Sequence, residues 1–238
     1  MSGMIDMHCH IIPGVDDGAV TRSDMRRMLR MEYRSGVRKI IMTPHYRKRM
    51  FEPPEELVRK RAEYVRREIE ALGIDMEVFL GCEYHANSDM LKDISENSIF
   101  RMNGGRYVLV EFSSRHSFLI IRNRIYELCA EGFKPVIAHI ERYPQIVQKP
   151  EQVEELIRLG ALIQVDAGAL IGQDGWRLKK VSRKLLKDGR IDFIGSDAHD
   201  TKRRPPNLDL CYKYVVKAMG EKYAGELFCT NALKMLKK

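Results

Sequence analysis

Met4-Ile5-Asp6-Met7-His8-Cys9-His10 is a strand-like apolar run that ends in metal-binding side chains. Residues i and i+2 of a strand face the same way, so His8 and His10 project together while Cys9 points opposite. The pattern recurs along the chain. Further strand candidates are Lys39–Thr43, Met76–Glu83, Tyr107–Glu111, Pro135–His139, Leu162–Val165 and Ile191–Gly195. Amphipathic stretches separate them. Met25, Met28, Leu29 and Tyr33 share one face of the first, and Leu57, Val58, Ala62, Val65, Ile69 and Leu72 one face of the second. Asn123–Ala130, Pro150–Leu159, Trp176–Lys187 and Leu208–Met219 read as further helices, with Gly132, Gly160 and Gly189 placed for left-handed caps. Strand then helix, repeated, calls for a parallel sheet with helices outside. No glycine-rich phosphate loop follows the first strand, which weakens a dinucleotide-binding sheet, and the placing of the polar residues favours a closed α/β barrel.

At 238 residues the chain can form one domain, expected to span 1–238, with no repeat or linker to divide it. It contains no apolar run of eighteen residues and no secretion signal, so the expectation is a cytoplasmic protein without membrane insertion. Ser2-Gly3 before Met4 reads as a slightly late start and carries no role. The 41 Lys and Arg against 33 Asp and Glu give a formal charge of +8, which favours anionic partners but also suits a merely well-solvated surface. Cys9, Cys82, Cys129, Cys211 and Cys229 read as free thiols. A cysteine-dependent phosphatase needs an arginine six residues after its thiolate. The residues found there are Val15, Ser88, Pro135, Lys217 and Met235, so that chemistry is excluded.

Six of the seven strand candidates end in a good metal ligand: His8 and His10; His45 in Thr43-Pro44-His45; Glu83 in Gly81-Cys82-Glu83; Glu111; His139; and Asp197 with His199 in Ser196-Asp197-Ala198-His199. The carboxyl-terminal rim is where a parallel barrel carries its chemistry. A lone histidine at a strand end is more often structural than not; five of the seven histidines at such positions are hard to ascribe to chance. With Asp17 the set is His8, His10, Asp17, His45, Glu83, Glu111, His139, Asp197 and His199. Mixed imidazole and carboxylate donors suit Mn, Fe or Zn better than Mg or Ca, and their number suits two or three ions. Clustered ions polarise phosphoryl oxygens and acidify water, which is hydrolytic chemistry.

These segments resemble the PHP (polymerase and histidinol phosphatase) superfamily, and more closely its CpsB/YwqE branch of manganese-dependent bacterial protein-tyrosine phosphatases. The likeness runs through Pro13-Gly14-Val15-Asp16-Asp17-Gly18-Ala19, Val110-Glu111-Phe112 and Ala138-His139-Ile140-Glu141-Arg142-Tyr143 as well as the motifs above, and covers nearly the whole chain. It implies an α/β, distorted (β/α)7 barrel of PHP type, TIM-like in plan. It also implies three ion groups: His8, His10, Glu83 and Asp197; Glu83, Glu111 and His139; and Asp17, His45 and His199. Arg142 matches the branch's phosphate-gripping arginine. Arg204 fits the second one, with Arg203 as its rival and a solvated basic turn as the plainer reading. Asp166 departs from the neutral residue expected before Ala167-Gly168. His85 and His116 match no ligand position and read as loop or rim residues, and the methionines of the first helix as core.

The implied reaction is hydrolysis of phosphotyrosine by metal-activated hydroxide. The implied partner is the phosphorylated tail of a tyrosine autokinase in capsule or exopolysaccharide control. Alternatives on the same rim are a small-molecule phosphatase of histidinol-phosphate type, a PHP-type nuclease, for which no polymerase segment is present, and a dead phosphotyrosine-binding scaffold, against which the complete ligand set argues.

Overall fold

Nine short strands build the structure, a computed structural model that describes residues 3–237; Ser2 lies outside the described residues. They are β1 (Met4–Cys9), β2 (Val37–Met42), β3 (His45–Tyr46), β4 (Glu77–Leu80), β5 (Glu83–His85), β6 (Tyr107–Glu111), β7 (Lys134–Ile137), β8 (Leu162–Asp166) and β9 (Phe193–Gly195). All pairings between them are parallel. β1, β2 and β4 form one ladder, and β3, β5, β6, β7, β8 and β9 the other. A parallel bridge between Cys9 and Ala198 joins β1 to the segment after β9, and the sheet curls into a barrel of seven staves. The expected α/β barrel is the observed fold.

Two staves are broken. The expected strand Met76–Glu83 is β4 and β5 with Gly81-Cys82 between them, and its neighbour is β2 and β3 with Thr43-Pro44 between them. Pro44 has no N–H to donate, so the ladder cannot run through it. It resumes one step on, where Gly81 N–H donates to Met42 O at 2.8 Å and Glu83 N–H to Pro44 O at 3.1 Å. This double break lifts His45 and Glu83 onto the rim as a register pair.

Alternation sorts the strand side chains into two apolar layers. Ile5, Met7, Ile41, Leu109, Val136 and Phe193 fill the barrel interior, plugged from below by Ala232 and Met235 of the helix Asn231–Leu236. Ile40, Met42, Val108, Val110, Ile137, Ile163, Val165 and Ile194 face the helices. The helix Arg22–Arg34 presents Met25, Met28 and Leu29 to this outer layer, and the methionines are indeed core. Helix Glu55–Leu72 presents Val58, Ala62, Val65 and Ile69. Buried Glu68 ties the two helices together through Arg22 at 2.8 Å and Arg26 at 3.3 Å.

The helices Pro150–Leu159, Trp176–Lys187 and Leu208–Met219 stand where the periodicity predicts them. Asn123–Ala130 begins earlier, at Phe118, because Ser117 caps it by accepting from the Ile120 N–H. Gly132, Gly160 and Gly189 have φ of 79°, 105° and 67°, the left-handed caps expected of them. Among the described residues no helix is long and apolar enough to cross a membrane.

Candidate metal centre

Glu83 and Glu111 reach the rim by simple alternation. Cys82 and Tyr84 flank Glu83 in the outer layer, and Val110 does so for Glu111, so both carboxylates turn inward. The histidines of β1 need more. Ile5 and Met7 already face inward, and strict alternation would throw His8 out among the helices. The register slips between Asp6 and Cys9, a bulge that lets Met7 and His8 both face the interior. Gly18 is required close by: a Cβ there would stand 2.1 Å from the His10 carbonyl oxygen.

His139 and Asp197 are turned by backbone conformation. Ala138 is an inward residue, yet His139 also points inward because its φ is +33°; Asp197 has φ of +51°. Left-handed conformations of this kind are costly for non-glycine residues and persist where the surroundings enforce them. Asp6 does the enforcing near Asp197. Buried behind β1, its carboxylate accepts from His8 N–H at 3.2 Å, Ser196 N–H at 3.0 Å and the Ser196 hydroxyl. Ser196 Oγ in turn accepts from the Ala198 N–H at 3.0 Å. Gly195 leaves room for the strands to meet, since a Cβ there would lie 2.6 Å from His8 Cβ.

The donor atoms converge. His8 Nε2 lies 3.2 Å from Glu83 Oε2 and 3.4 Å from Asp197 Oδ1; His10 Nε2 lies 3.3 Å and 3.4 Å from the same two oxygens. The two imidazole Nε2 atoms face each other at 3.2 Å. Ligands about 2.1 Å from a four-coordinate ion stand roughly 3.4 Å apart, so this spacing fits a shared cation. A second convergence holds Asp17, His45 and His199, with His10 beside them: Asp17 Oδ1 is 3.5 Å from His45 Nε2 and 3.6 Å from His199 Nε2. These two groups are those implied by the resemblance, the second with His10 added. The third differs. Glu83 and Glu111 gather with His45, while His139 Nε2 stands against the other Glu83 oxygen at 2.8 Å.

Several of these atoms are buried without a hydrogen-bond partner: Glu83 Oε2, Glu111 Oε2, Asp197 Oδ1 and His199 Nε2. Orphaned buried polar atoms are expensive, and with His45 Nδ1 there are five in one pocket, which marks a place built for cations. The electrostatics agree. Burial would push the Glu83 carboxyl up, but His8, His45 and bonds from His10 and His139 hold it well below the usual range. Asp197 is likewise held low against burial, by His8, His10, Arg204 and Arg142. Burial disfavours a charged His8, yet Glu83 and Asp197 lift it to about 9. Glu111 is pushed up by burial and by the neighbouring Glu83 charge. The pocket demands positive charge, and protons on His8 and His10, both raised by the surrounding carboxylates against their burial, supply it where no cation does.

Supporting residues escaped the sequence reading. Asp16 accepts from His45 N–H at 3.0 Å and holds His10 Nδ1 at 2.8 Å, leaving Nε2 for the centre. Gln164 touches His8 Nδ1 at 3.2 Å and accepts from His139 N–H at 2.7 Å. Tyr143 OH lies 3.3 Å from His139 Nδ1. The signal for Gln164 was present as a lone amide at an inward position of an apolar strand. Nothing in sequence spacing distinguishes Asp16 from Asp17; only the fold shows that one props and the other faces the pocket.

Arg142 and Arg204 meet at Asp197. Arg142 Nη2 lies 3.0 Å from Asp197 Oδ2, and Arg204 Nη2 contacts the same oxygen, while Oδ1 faces the donor cluster. Arg203 is exposed, with its backbone N–H tied to Asp200. Asp166 does not join the cluster: it pairs with Arg142 at 2.7 Å and accepts from Gln164 at 2.9 Å. His85, read as a loop or rim residue, ends β5 in register with Glu111, its ring 6.2 Å from that of His116. A separate group, Asp6, Cys9 and Glu32, lies behind β1, and there burial and the Asp6 charge push the Glu32 carboxyl well up.

Residues 4–237 match the family model described as "Capsular polysaccharide synthesis, CpsB/CapC". The chain is 35% identical over 239 residues to the tyrosine-protein phosphatase CpsB of Streptococcus agalactiae serotype III (strain NEM316), covering 98% of each. It is 34% identical over 201 residues to the tyrosine-protein phosphatase YwqE of Bacillus subtilis (strain 168), covering 84% of this chain and 79% of that one. A solved structure from work on B. subtilis YwqE and Streptococcus pneumoniae CpsB, described as metal-dependent tyrosine phosphatases, superposes with a TM-score of 0.92 at 32% identity, covering 98% and 94%. A histidinol phosphate phosphatase of Lactococcus lactis, at 11% identity and a TM-score of 0.59, shares the fold alone.

Proposed function

The chain belongs to the CpsB/CapC family and is an enzyme of its phosphatase class, and from that premise we propose that it hydrolyses phosphotyrosine in proteins with manganese as the working metal. The observation that carries the reading is the set of orphaned, buried Glu83, Glu111, Asp197 and His199 atoms gathered beside two guanidinium groups.

His8, His10, Glu83 and Asp197 would hold one ion, Asp17, His45 and His199 with His10 beside them a second, and Glu83 and Glu111 a third, with His45 on one Glu83 oxygen and His139 on the other. Bound there, the ions would polarise the phosphoryl oxygens and make water acidic enough to attack near neutral pH. Arg142 and Arg204 would take the phosphate in paired N–H bonds and neutralise its growing charge. Both are pre-aimed by Asp197, and Arg142 also by Asp166. A phenol of pKa about 10 leaves far more readily than an alkoxide, so the residues need supply no strong acid to the leaving group. An anionic substrate suits the formal charge of +8. The tail of a tyrosine autokinase in capsule control, met in the cytoplasm, is the proposed natural substrate.

Hydrolysis of a phosphotyrosine peptide should require Mn and stop with chelator. Turnover of histidinol phosphate at a higher kcat/KM than the peptide would instead assign the site to small molecules.

A further inference from the structure

A surface groove of about 410 Å³ lies between the short helix Pro144–Val147 and the helix Trp176–Lys187. Pro144, Val147, Leu178 and Val181 supply apolar lining, and Trp176 stands in it 73% exposed. It is the only tryptophan in the chain. An indole left in water forgoes its large burial energy, and exposed aromatics of this kind recur as anchors of binding surfaces. The groove is not isolated. Arg142 lines it as well, and the same guanidinium is bound to Asp166 and Asp197 in the metal pocket. Arg177, with no ion pair among the described residues, lines it too.

We propose that this groove seats the polypeptide flanking the phosphotyrosine, which rests on the phosphotyrosine reading above. With the phosphate on Arg142 and Arg204, an extended segment leaving the pocket past Arg142 enters the groove directly. There an apolar or aromatic side chain within a few residues of the phosphotyrosine packs on Trp176. Arg177 suits a carboxylate on the same flank. The occupant is therefore a peptide, not a free small ester: a small aryl phosphate fills the metal pocket and leaves the groove empty. Trp176 selects among substrates of the site without touching the reacting atoms.

The lone tryptophan supplies the readout. Mn-loaded protein is titrated with a peptide carrying a non-hydrolysable phosphonate analogue of phosphotyrosine and a flanking leucine, and separately with the free analogue, while indole emission is followed. A saturable change with the peptide, absent with the free analogue, is expected. In Mn-loaded protein, W176A should lower the ratio of kcat/KM for this peptide to that for para-nitrophenyl phosphate about tenfold, and W176F should recover part of it. No saturable change with the peptide, equal emission changes for both ligands, or an unchanged ratio in W176A overturns the groove. Failure of the wild type to hydrolyse either ester would overturn the phosphatase reading instead, with the emission titration still deciding the groove.

Discussion

Asp197 carries two jobs on two oxygens, Oδ1 toward the donor cluster and Oδ2 toward Arg142 and Arg204. The division makes the arginines' geometry part of the metal pocket, so their planar forks matter as much as their charge. R142K and R204K should each lower kcat/KM for a phosphotyrosine peptide about a hundredfold while metal content stays unchanged, which steady-state kinetics beside elemental analysis will check. Gly195 tests the packing that supports this corner. Its absent Cβ is what lets His8 sit against β9, so G195A should destabilise the fold by about 1–3 kcal/mol, read as a lower urea midpoint at constant m.

At the scale of elements, the first helix has a complete capping box: Thr21 Oγ1 accepts from the Asp24 N–H at 3.1 Å, and the Asp24 carboxylate accepts from the Thr21 N–H at 3.0 Å. Losing it in T21A should cost about 1 kcal/mol in chemical denaturation and leave hydrolysis intact, because among the described residues the Thr21 side chain bonds only to Asp24 and to none of the rim residues. Strand and helix alternation was legible in the sequence because each element buries one face, and Glu83 and Glu111 were legible with it. His139 and Asp197 were legible only as residue types. What turns them inward is a positive φ, which no periodicity encodes. The break at Thr43-Pro44 was written in the proline, but its echo at Gly81-Cys82 follows from pairing between staves far apart in sequence. Gln164 and Asp16 stayed hidden for the same reason: their work is defined by partners 156 and 6 residues away, across the barrel and across a turn.

For the whole molecule, the barrel concentrates four carboxylates and five histidines on one rim, a cluster that repels itself unless cations or protons occupy it. Binding that favours the folded state raises its stability by mass action. Chelation should therefore lower the thermal midpoint by several degrees, about 2–4 °C for each kcal/mol of binding energy lost in a chain of this size, and Mn should restore it in calorimetry. The +8 surface adds a salt dependence for acidic peptides that small esters lack. The most direct test of the centre is Mn content per chain, by elemental analysis, in wild type and E83Q, with peptide hydrolysis measured on the same samples. The expected result is two or three ions in the wild type, at least one fewer in E83Q, and activity down by at least about a hundredfold. Full metal content and full activity in E83Q would contradict a centre organised around that carboxylate.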